Sequence, residues 1–291
     1  MMIEKGLLDK RELPDAQFDE LWNRIIIPPE IKNRLRNQVL LELTLRPEIP
    51  SKAALPLHGI ILLVGPPGTG KTSIAKGVAS AAATAIKGAK VTFIEVEPHA
   101  LTSSALGKTQ REIRKFLEDV VTEYAAQGPL VVLLDEVETL VADRSKMSLE
   151  ANPVDVHRAT DAMLAGLDNL AARFPQLLFI ATSNFEQALD QAFISRADLV
   201  LRIEKPTVEA CEAILTDTLS ALGDRWPAVK ELAKDKHYPD LTQLLHGLDG
   251  RQIRKAVISA CSLDIKTVLD PGTLSISQLE SAIKQTKTEL R

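Results

Sequence analysis

The chain is poor in aromatic residues and carries no excess of positive charge. Phenylalanine, tryptophan and tyrosine make up 4% of its 291 residues, which leaves few side chains to stack on the bases of single-stranded nucleic acid. Lysine and arginine total 35 against 39 acidic residues, a net charge of −4. The chain therefore lacks a basic field that would attract a phosphate backbone or an anionic membrane, and both partners are disfavoured.

Long apolar runs are also missing, and cysteine is scarce. No run approaches the 18 residues of a transmembrane helix, and the charged residues 1–10 lack the apolar centre of a signal peptide. Cys211 and Cys261 each lie on the apolar side of a helical pattern, with no Cys or His at metal-ligand spacing, which predicts buried free thiols in a reducing compartment. We therefore expect a soluble, cytoplasmic protein.

The sequence does contain a cradle for nucleotide phosphates. An apolar strand precedes a glycine, four residues and Gly-Lys-Thr, and a helix-compatible segment follows, as this motif requires. The predicted nucleotide-binding residues are Gly65, Pro66, Pro67, Gly68, Thr69, Gly70, Lys71, Thr72 and Ser73. Glycines let backbone N–H groups face the phosphates, Lys71 adds a charge at the β- and γ-phosphates, and Thr72 offers its hydroxyl to Mg²⁺. The Ala-rich helix that follows adds its positive dipole end.

Two adjacent acids follow the apolar strand at residues 130–134. Ligands of open parallel sheets bind beyond the carboxyl ends of the strands, so we expect Asp135 and Glu136 beside the phosphate loop. Asp135 would hold Mg²⁺ together with Thr72, and Glu136 would orient and deprotonate the attacking water. Asn184 ends a later strand and is positioned to hold that water or to touch the γ-phosphate; an ordinary turn asparagine is the alternative.

Two arginines are candidates to neutralise charge in the transition state. Arg196 precedes the last predicted strand and lies away from its own phosphate loop, which suits an arginine offered to a neighbouring subunit. A local ion pair with Asp198 is the alternative. Arg251 begins a helix in the C-terminal region and would reach the γ-phosphate, with Arg254 as the nearby rival and an ordinary exposed arginine as the alternative.

Short apolar strands alternate with helical patterns over residues 58–205. This alternation predicts an α/β fold with a doubly wound, parallel sheet flanked by helices. The five predicted strands are residues 61–64, 91–96, 130–134, 177–181 and 199–203. Residues 97–108 are predicted to be a polar loop. After Pro206 the pattern is wholly helical, so we expect three segments: a helical preface (1–49), a large nucleotide-binding domain (50–205) and a small helical lid domain (206–291).

From about residue 12 onward the chain resembles an AAA+ ATPase of the P-loop NTPase class. The phosphate loop, the Asp135–Glu136 pair, Asn184 and the Gly250-Arg251 step carry this resemblance. Other segments are similar to the pachytene-checkpoint, thyroid-receptor-interactor group, whose members are hexamers that remodel HORMA-domain proteins. These segments are residues 13–22, 134–140, 152–155, 164–168 and 192–198.

The resemblance implies a role for each matching residue. ATP and Mg²⁺ would be held by Lys71 and Thr72, Asp135 and Glu136 would be catalytic, Asn184 and Arg251 would sense the γ-phosphate, and Arg196 would act in a neighbouring subunit. The group draws its substrate into a central pore and converts a closed HORMA domain to an open one. A homo-hexamer acting on a HORMA-domain protein is therefore implied here.

Two departures from the group shape the expected substrate contacts. The pore loop of the group presents an aromatic residue, whereas the matching positions here are Ala105, Leu106 and Gly107, so an aliphatic side chain would grip the substrate. Only about fifty residues precede the first predicted strand, so the preface helices, the face of the ring or a partner would recognise the substrate. Compact members resemble the bacterial branch, which is associated with HORMA proteins and nucleotidyltransferases in anti-phage defence.

Two other classes of function remain open on the residues alone. A DNA-processing motor such as a clamp loader is disfavoured by the net charge of −4 and by the low aromatic content. A non-catalytic, nucleotide-gated scaffold is disfavoured because it has no need of Glu136 after Asp135.

Overall fold

The computed structural model describes residues 6–50, 57–86, 88, 90–102, 108–143 and 153–289. The chain divides into two compact units. The first comprises Met1–Ile25, Pro29–Gly65 and Lys71–Ile203, and the second comprises Ile26–Pro28, Pro66–Gly70 and Glu204–Arg291.

A six-stranded sheet forms the centre of the first unit, in the order β1-β3-β4-β5-β2-β6. The strands are β1 (Leu7–Leu13), β2 (Ile60–Val64), β3 (Val91–Val96), β4 (Leu130–Leu134), β5 (Leu177–Ser183) and β6 (Leu199–Arg202). All described pairs are parallel except β1 with β3. Every residue of β2, β4 and β5 is buried, as expected for central strands covered on both faces. The predicted α/β fold class is confirmed, with the five predicted strands parallel.

Strand β1 is an addition that the sequence did not predict, because residues 1–49 were expected to be helical. It pairs antiparallel with β3 at the edge of the sheet. Its sequence, LLDKREL, carries four consecutive charged residues, and its side chains alternate between half-buried and exposed. Charged side chains are usual on an edge strand, where they discourage pairing with other chains. They also hide the apolar alternation by which a strand is recognised.

Helices surround this sheet within the first unit. They are α1 (Ala16–Arg24), α2 (Pro29–Leu40), α3 (Lys71–Ala85), α4 (Pro98–Leu101), α5 (Lys108–Lys115), α6 (Thr122–Ala125), α7 (Pro153–Arg173) and α8 (Gln191–Ile194). A π-helical segment, Phe116–Val121, joins α5 to α6 and continues the predicted apolar stripe. The expectation of a loop throughout residues 97–108 is wrong at α4, where Pro98 begins a short helix and Leu101 is buried.

The second unit is helical in its C-terminal part, as predicted. Its helices are α9 (Val208–Gly223), α10 (Ala228–Glu231), α11 (Tyr238–Leu244), α12 (Gly250–Cys261), α13 (Ile265–Leu269) and α14 (Ile276–Glu289). An apolar core of its own holds these helices together and includes Cys211, Leu215 and Ile253. Both cysteines are free, Cys211 buried and Cys261 partly so, and burial raises the pKa of each thiol. None of the described helices combines the length and apolar composition that a bilayer crossing requires.

Candidate active site

The site begins where β2 ends at Gly65. The Gly65 N–H donates to the carbonyl oxygen of Ser183 at 3.2 Å, which ties the end of β2 to the end of β5. Gly65 has φ 154°, and a Cβ at this position would lie 2.1 Å from the carbonyl oxygen of Ile203. Only glycine fits this close backbone approach. Packing against Ile203 therefore also requires a glycine at the start of the predicted phosphate loop.

The middle of the loop, Pro66–Gly70, belongs to the second unit. Thr69 Oγ1 donates to the Pro66 carbonyl oxygen at 2.9 Å. Gly68 has φ 80°, and a Cβ there would lie 2.4 Å from the carboxylate of Asp249. Asp249 caps the N-terminus of α12 by accepting the Gln252 N–H at 2.9 Å. Gly68 therefore meets two demands at once, a left-handed backbone and close contact with the carboxylate that caps α12.

Lys71 is the first residue of α3, and only 6% of it is exposed. Its Nζ donates to the Gly65 carbonyl oxygen at 2.7 Å and to Asn184 Oδ1 at 2.9 Å. A buried ammonium needs such acceptors because desolvation of an unpaired charge is costly. The lysine is thus held between the start of the phosphate loop and the end of β5. Thr72 and Ser73, the next two residues of α3, are partly buried.

Asp135 lies where β4 and β5 end side by side. Leu134 is paired with Ala181 in register, so Asp135 comes opposite Thr182. Asp135 Oδ1 accepts a hydrogen bond from Thr72 Oγ1 at 2.9 Å and a second one from Thr182 Oγ1. A hydroxyl and a carboxylate oxygen that converge in this way match the oxygen ligands that Mg²⁺ prefers. The residues present therefore fit the predicted metal.

Glu136 follows in an uncommon backbone conformation. It has φ 51° and ψ 50°, the left-handed region, and among the described residues it is the one non-glycine with positive φ. Its N–H donates to Thr182 Oγ1 at 3.1 Å, while its side chain is exposed. A residue with a Cβ keeps this backbone conformation only when its surroundings enforce it, and such residues cluster at functional sites.

Asn184 connects the lysine to the acids. Its Oδ1 accepts from Lys71, and its Nδ2 lies 3.5 Å from Glu136 Oε1, which is a long contact. Its backbone N–H donates to Glu138 Oε1 at 3.1 Å. Glu138 Oε2 is buried without a hydrogen-bond partner in the part of the chain that is described. The five residues Lys71, Thr72, Asp135, Glu136 and Asn184 are thus brought together within the first unit.

Two residues of this site, Thr182 and Glu138, were not among the predicted site residues. Thr182 bridges Asp135 and Glu136, and Glu138 holds the backbone of Asn184. A signal for Thr182 was present, since it is a hydroxyl residue at the end of an otherwise apolar strand. That Thr182 lies opposite Asp135 became apparent only with the register between β4 and β5.

Arg196 makes a two-pronged ion pair with Asp168. Arg196 Nε lies 2.8 Å from Asp168 Oδ1, and one terminal nitrogen of Arg196 lies 2.8 Å from Asp168 Oδ2. The hydrogen bond from Arg196 holds the pKa of Asp168 below its usual value. The alternative pairing of Arg196 with Asp198 is wrong, because Asp198 instead accepts the backbone N–H groups of residues 58–60 at 2.6 to 3.1 Å.

The two predicted arginine rivals lie at the start of α12 in the second unit. Arg251 is exposed. One terminal nitrogen of Arg254 lies 3.6 Å from Asp217 Oδ2, and the other lies 3.5 Å from the carbonyl oxygen of Gly250. The role of Arg251 at the γ-phosphate stays a prediction, as does the choice between the two. The predicted pore-loop residues Ala105, Leu106 and Gly107 lie outside the described residues.

Comparisons with known proteins bear on the same region. Residues 61–205 match the family described as ATPase family associated with various cellular activities (AAA). CD-NTase-associated protein 6 of Pseudomonas aeruginosa is 50% identical over 285 residues, covering 98% of this chain and 93% of that protein. A putative pachytene checkpoint protein 2 of Caenorhabditis elegans is 32% identical over 216 residues, covering 73% of this chain. The chain spans 50% of that second protein's length.

Two solved structures have a similar fold. The structure of C. elegans PCH-2 has a TM-score of 0.76 and 25% identity, covering 99% of this chain and 77% of that one. A chain from the structure of an E. coli MS115-1 HORMA:CdnC:Trip13 complex has a TM-score of 0.72, covering 97% of this chain and 95% of that one. Its 19% identity to this chain limits that second likeness to the fold.

Proposed function

We propose that this chain uses ATP hydrolysis to remodel a HORMA-domain protein. The chain belongs to the AAA family of ATPases, and its relatives include CD-NTase-associated protein 6 and pachytene checkpoint protein 2. The observation that supports the hydrolytic part most strongly is the hydrogen-bonded group of Lys71, Thr72, Asp135, Glu136 and Asn184 at the carboxyl ends of β2, β4 and β5. We further propose that the chain consists of three segments: a preface (1–49), a large nucleotide-binding domain (50–205) and a small lid domain (206–291).

Nucleotide binding in this proposal rests on the loop from Gly65 to Ser73. The backbone N–H groups of the loop and Lys71 Nζ would bind the β- and γ-phosphates. Lys71 now donates to two protein oxygens, so phosphate oxygens would replace neutral acceptors with charged ones. This exchange strengthens the hydrogen bonds of the ammonium.

Thr72 and Asp135 would hold Mg²⁺, since their oxygens already meet at 2.9 Å. The metal would supply neutralisation of charge on the phosphate oxygens when it is bound with nucleotide. Arg251, or its rival Arg254, would add positive charge at the γ-phosphate.

Glu136 would accept the proton of the attacking water as the water oxygen bonds to the γ-phosphorus and ADP leaves. Its exposed carboxylate can reach solvent, and Asn184 Nδ2 lies close enough to orient either the carboxylate or the water. The left-handed backbone of Glu136 supports this assignment, because an enforced conformation fixes the direction in which the carboxylate points.

Arg196 would act on the nucleotide of a neighbouring subunit in a ring of six. Its guanidinium is already oriented by a two-pronged bond to Asp168. Such a planar fork matches a phosphate as well as it matches a carboxylate. A γ-phosphate offered by the neighbour would therefore compete with Asp168 for the same nitrogen atoms.

The substrate assignment draws on the relatives. One is named as associated with a CD-NTase, and one similar structure contains HORMA and CdnC together with Trip13. We propose for this chain a HORMA-domain substrate that is bound to a nucleotidyltransferase and is partly unfolded by residues 105–107, within anti-phage signalling in the cytoplasm. The two free cysteines suit a reducing compartment.

Incubation with a HORMA-domain protein in complex with its nucleotidyltransferase tests this function. A fluorescent label on the nucleotidyltransferase reports its release, and a Glu136→Gln variant serves as the matched control. Release that requires ATP and is absent with the variant is expected. An ATPase rate stimulated by DNA, together with no release from any HORMA complex, would favour the DNA-processing alternative.

A further inference from the structure

We propose that Thr182 is a positioning residue that fixes both acids of the active site through one hydroxyl group. Its side chain is buried, with 1% of the residue exposed. Its Oγ1 accepts the Glu136 N–H at 3.1 Å and donates to Asp135 Oδ1. This inference rests on the proposed function, because it takes Asp135 and Glu136 as the hydrolytic pair.

The bond to Glu136 holds a backbone that would otherwise relax. Glu136 has φ 51° and ψ 50°, a conformation that a residue with a Cβ keeps only when its surroundings impose it. The Thr182 hydroxyl accepts a hydrogen bond from the backbone N–H of Glu136. This bond holds the peptide group that precedes the Glu136 side chain and so helps to set its direction. Without that acceptor the peptide is free to rotate, and the carboxylate loses its fixed direction.

The bond to Asp135 has a different task. Asp135 Oδ1 accepts from Thr72 and from Thr182, but Thr72 is itself a proposed Mg²⁺ ligand. Thr182 has no proposed contact with metal or nucleotide. It is therefore the donor that keeps Asp135 oriented whatever Thr72 binds, in the way that outer hydrogen-bond partners orient metal-binding carboxylates.

Threonine suits this position for physical reasons. A hydroxyl is both donor and acceptor, so a single oxygen atom serves both acids. The β-branched side chain has few rotamers and fits a buried strand, which keeps the hydroxyl in one place. The parallel register that pairs Leu134 with Ala181 brings Thr182 opposite Asp135.

Two substitutions isolate the hydroxyl. Thr182→Val keeps the shape and removes both hydrogen bonds, whereas Thr182→Ser keeps the hydroxyl. Thr160 offers a matched control, because it is also fully buried in the first unit and its hydroxyl has no hydrogen-bond partner among the described residues. Thr160→Val therefore makes the same chemical change without breaking a bond. If Thr182→Val fails to fold, Thr182→Ala compared with Thr182→Ser isolates the same hydroxyl.

The expected result is a split between turnover and binding. We expect Thr182→Val to lower kcat about 10- to 100-fold, as loss of an outer hydrogen-bond partner does. The KM for ATP and the Kd for a non-hydrolysable analogue should change less than about threefold, because the loop and Lys71 are untouched. Thr182→Ser should restore kcat to within about threefold, and Thr160→Val should match the wild type.

A second measurement needs no nucleotide. Amide hydrogen exchange of the peptide that contains Glu136 should be about tenfold faster in nucleotide-free Thr182→Val than in wild type, because the N–H loses its acceptor. Thr182→Ser and Thr160→Val should exchange at the wild-type rate.

The inference is overturned if folded Thr182→Val keeps wild-type kcat and amide exchange, or if Thr182→Ser is as impaired as Thr182→Val. Glu136→Gln measured in parallel separates this failure from failure of the proposed function. An inactive Glu136→Gln beside an active Thr182→Val removes Thr182 alone. A Glu136→Gln variant with normal turnover removes the assignment of the acids, and the inference with it.

Discussion

The Lys71 ammonium donates a 2.9 Å hydrogen bond to Asn184 Oδ1, and Asn184 Nδ2 lies 3.5 Å from Glu136 Oε1. The Asn184 amide thus lies between Lys71, which is proposed to bind phosphate, and Glu136, the proposed base. In the proposed mechanism, phosphate oxygens would replace Asn184 Oδ1 as acceptors of Lys71, and the amide could then turn toward the attacking water. The proposed mechanism would therefore link binding of the γ-phosphate to orientation of Glu136 through the Asn184 side chain.

Lys71→Met should weaken nucleotide binding. The ammonium makes charge-assisted hydrogen bonds worth about 1.5–3 kcal/mol, so the Kd for ATP should rise about 10- to 100-fold. Isothermal titration with a non-hydrolysable analogue measures this change. Lys90→Met is the control, because Lys90 is exposed and forms an ion pair with exposed Glu12. Equal affinity of the two variants would contradict the assignment.

Arg46→Met should destabilise the first unit strongly. Arg46 is 5% exposed and donates to the carbonyl oxygens of Pro175 and Leu177 at 2.8 and 2.6 Å, and it pairs with fully buried Glu42. Its loss leaves a buried carboxylate uncompensated, which costs about 3–5 kcal/mol in unfolding free energy. Urea unfolding followed by circular dichroism measures the loss.

The exposed pair of Arg24 with Glu20 supplies the control for that experiment. Both side chains are about half exposed or more, so Arg24→Met should cost less than about 1 kcal/mol. A similar loss for both arginine variants would mean that burial of the Arg46 pair does not matter.

The ion pair of Arg196 with Asp168 should make stability depend on pH at the acidic end. The hydrogen bond from Arg196 lowers the pKa of Asp168 in the folded chain. A lowered folded pKa gives stability that is present above the unfolded pKa of the carboxyl and is lost as pH falls through the folded value. Arg196→Ala should therefore be less stable than wild type at neutral pH, with the difference shrinking toward low pH.

Thermal unfolding at several pH values, from neutral to about pH 3, checks this expectation. The difference in Tm between Arg196→Ala and wild type should narrow as the pH falls. A difference that stays constant or widens in acid would show that the carboxylate of Asp168 is not the partner that matters.

The parts of the site that follow from strand ends were predictable from the sequence. Parallel strands end at one edge of a sheet, so the acids after β4 and the asparagine after β5 had to lie near the loop after β2. Asp135 with Thr72 and Asn184 with Lys71 meet in this way. The family of the chain and its fold class followed from the same motifs.

Contacts set by tertiary register were not predictable. Arg196 pairs with Asp168, which is 28 residues away, and not with nearby Asp198, because Asp198 is occupied by the backbone at the start of β2. Neither the 28-residue separation of Arg196 from Asp168 nor the backbone contact of Asp198 produces a periodic pattern in the sequence. Thr182 and strand β1 were missed for related reasons, since pairing with another strand defines both.

Mixing two variants that are each expected to be inactive tests directly the proposal that neighbouring subunits share an active site. Glu136→Gln keeps Arg196 but lacks the base, and Arg196→Ala keeps the base but lacks the arginine that a neighbour would use. Each variant alone should hydrolyse ATP at less than about 1% of the wild-type rate. Nucleotide binding and native mass spectrometry establish that both variants are folded and that they assemble together.

The phosphate-release rate of an equal mixture is the deciding measurement. It should recover to about a quarter of the wild-type rate, because about one interface in four of a randomly mixed ring joins an intact base to a neighbour's Arg196. Full activity of Arg196→Ala alone, or no recovery in rings that contain both variants, would contradict hydrolysis at a site completed by a second copy of the chain.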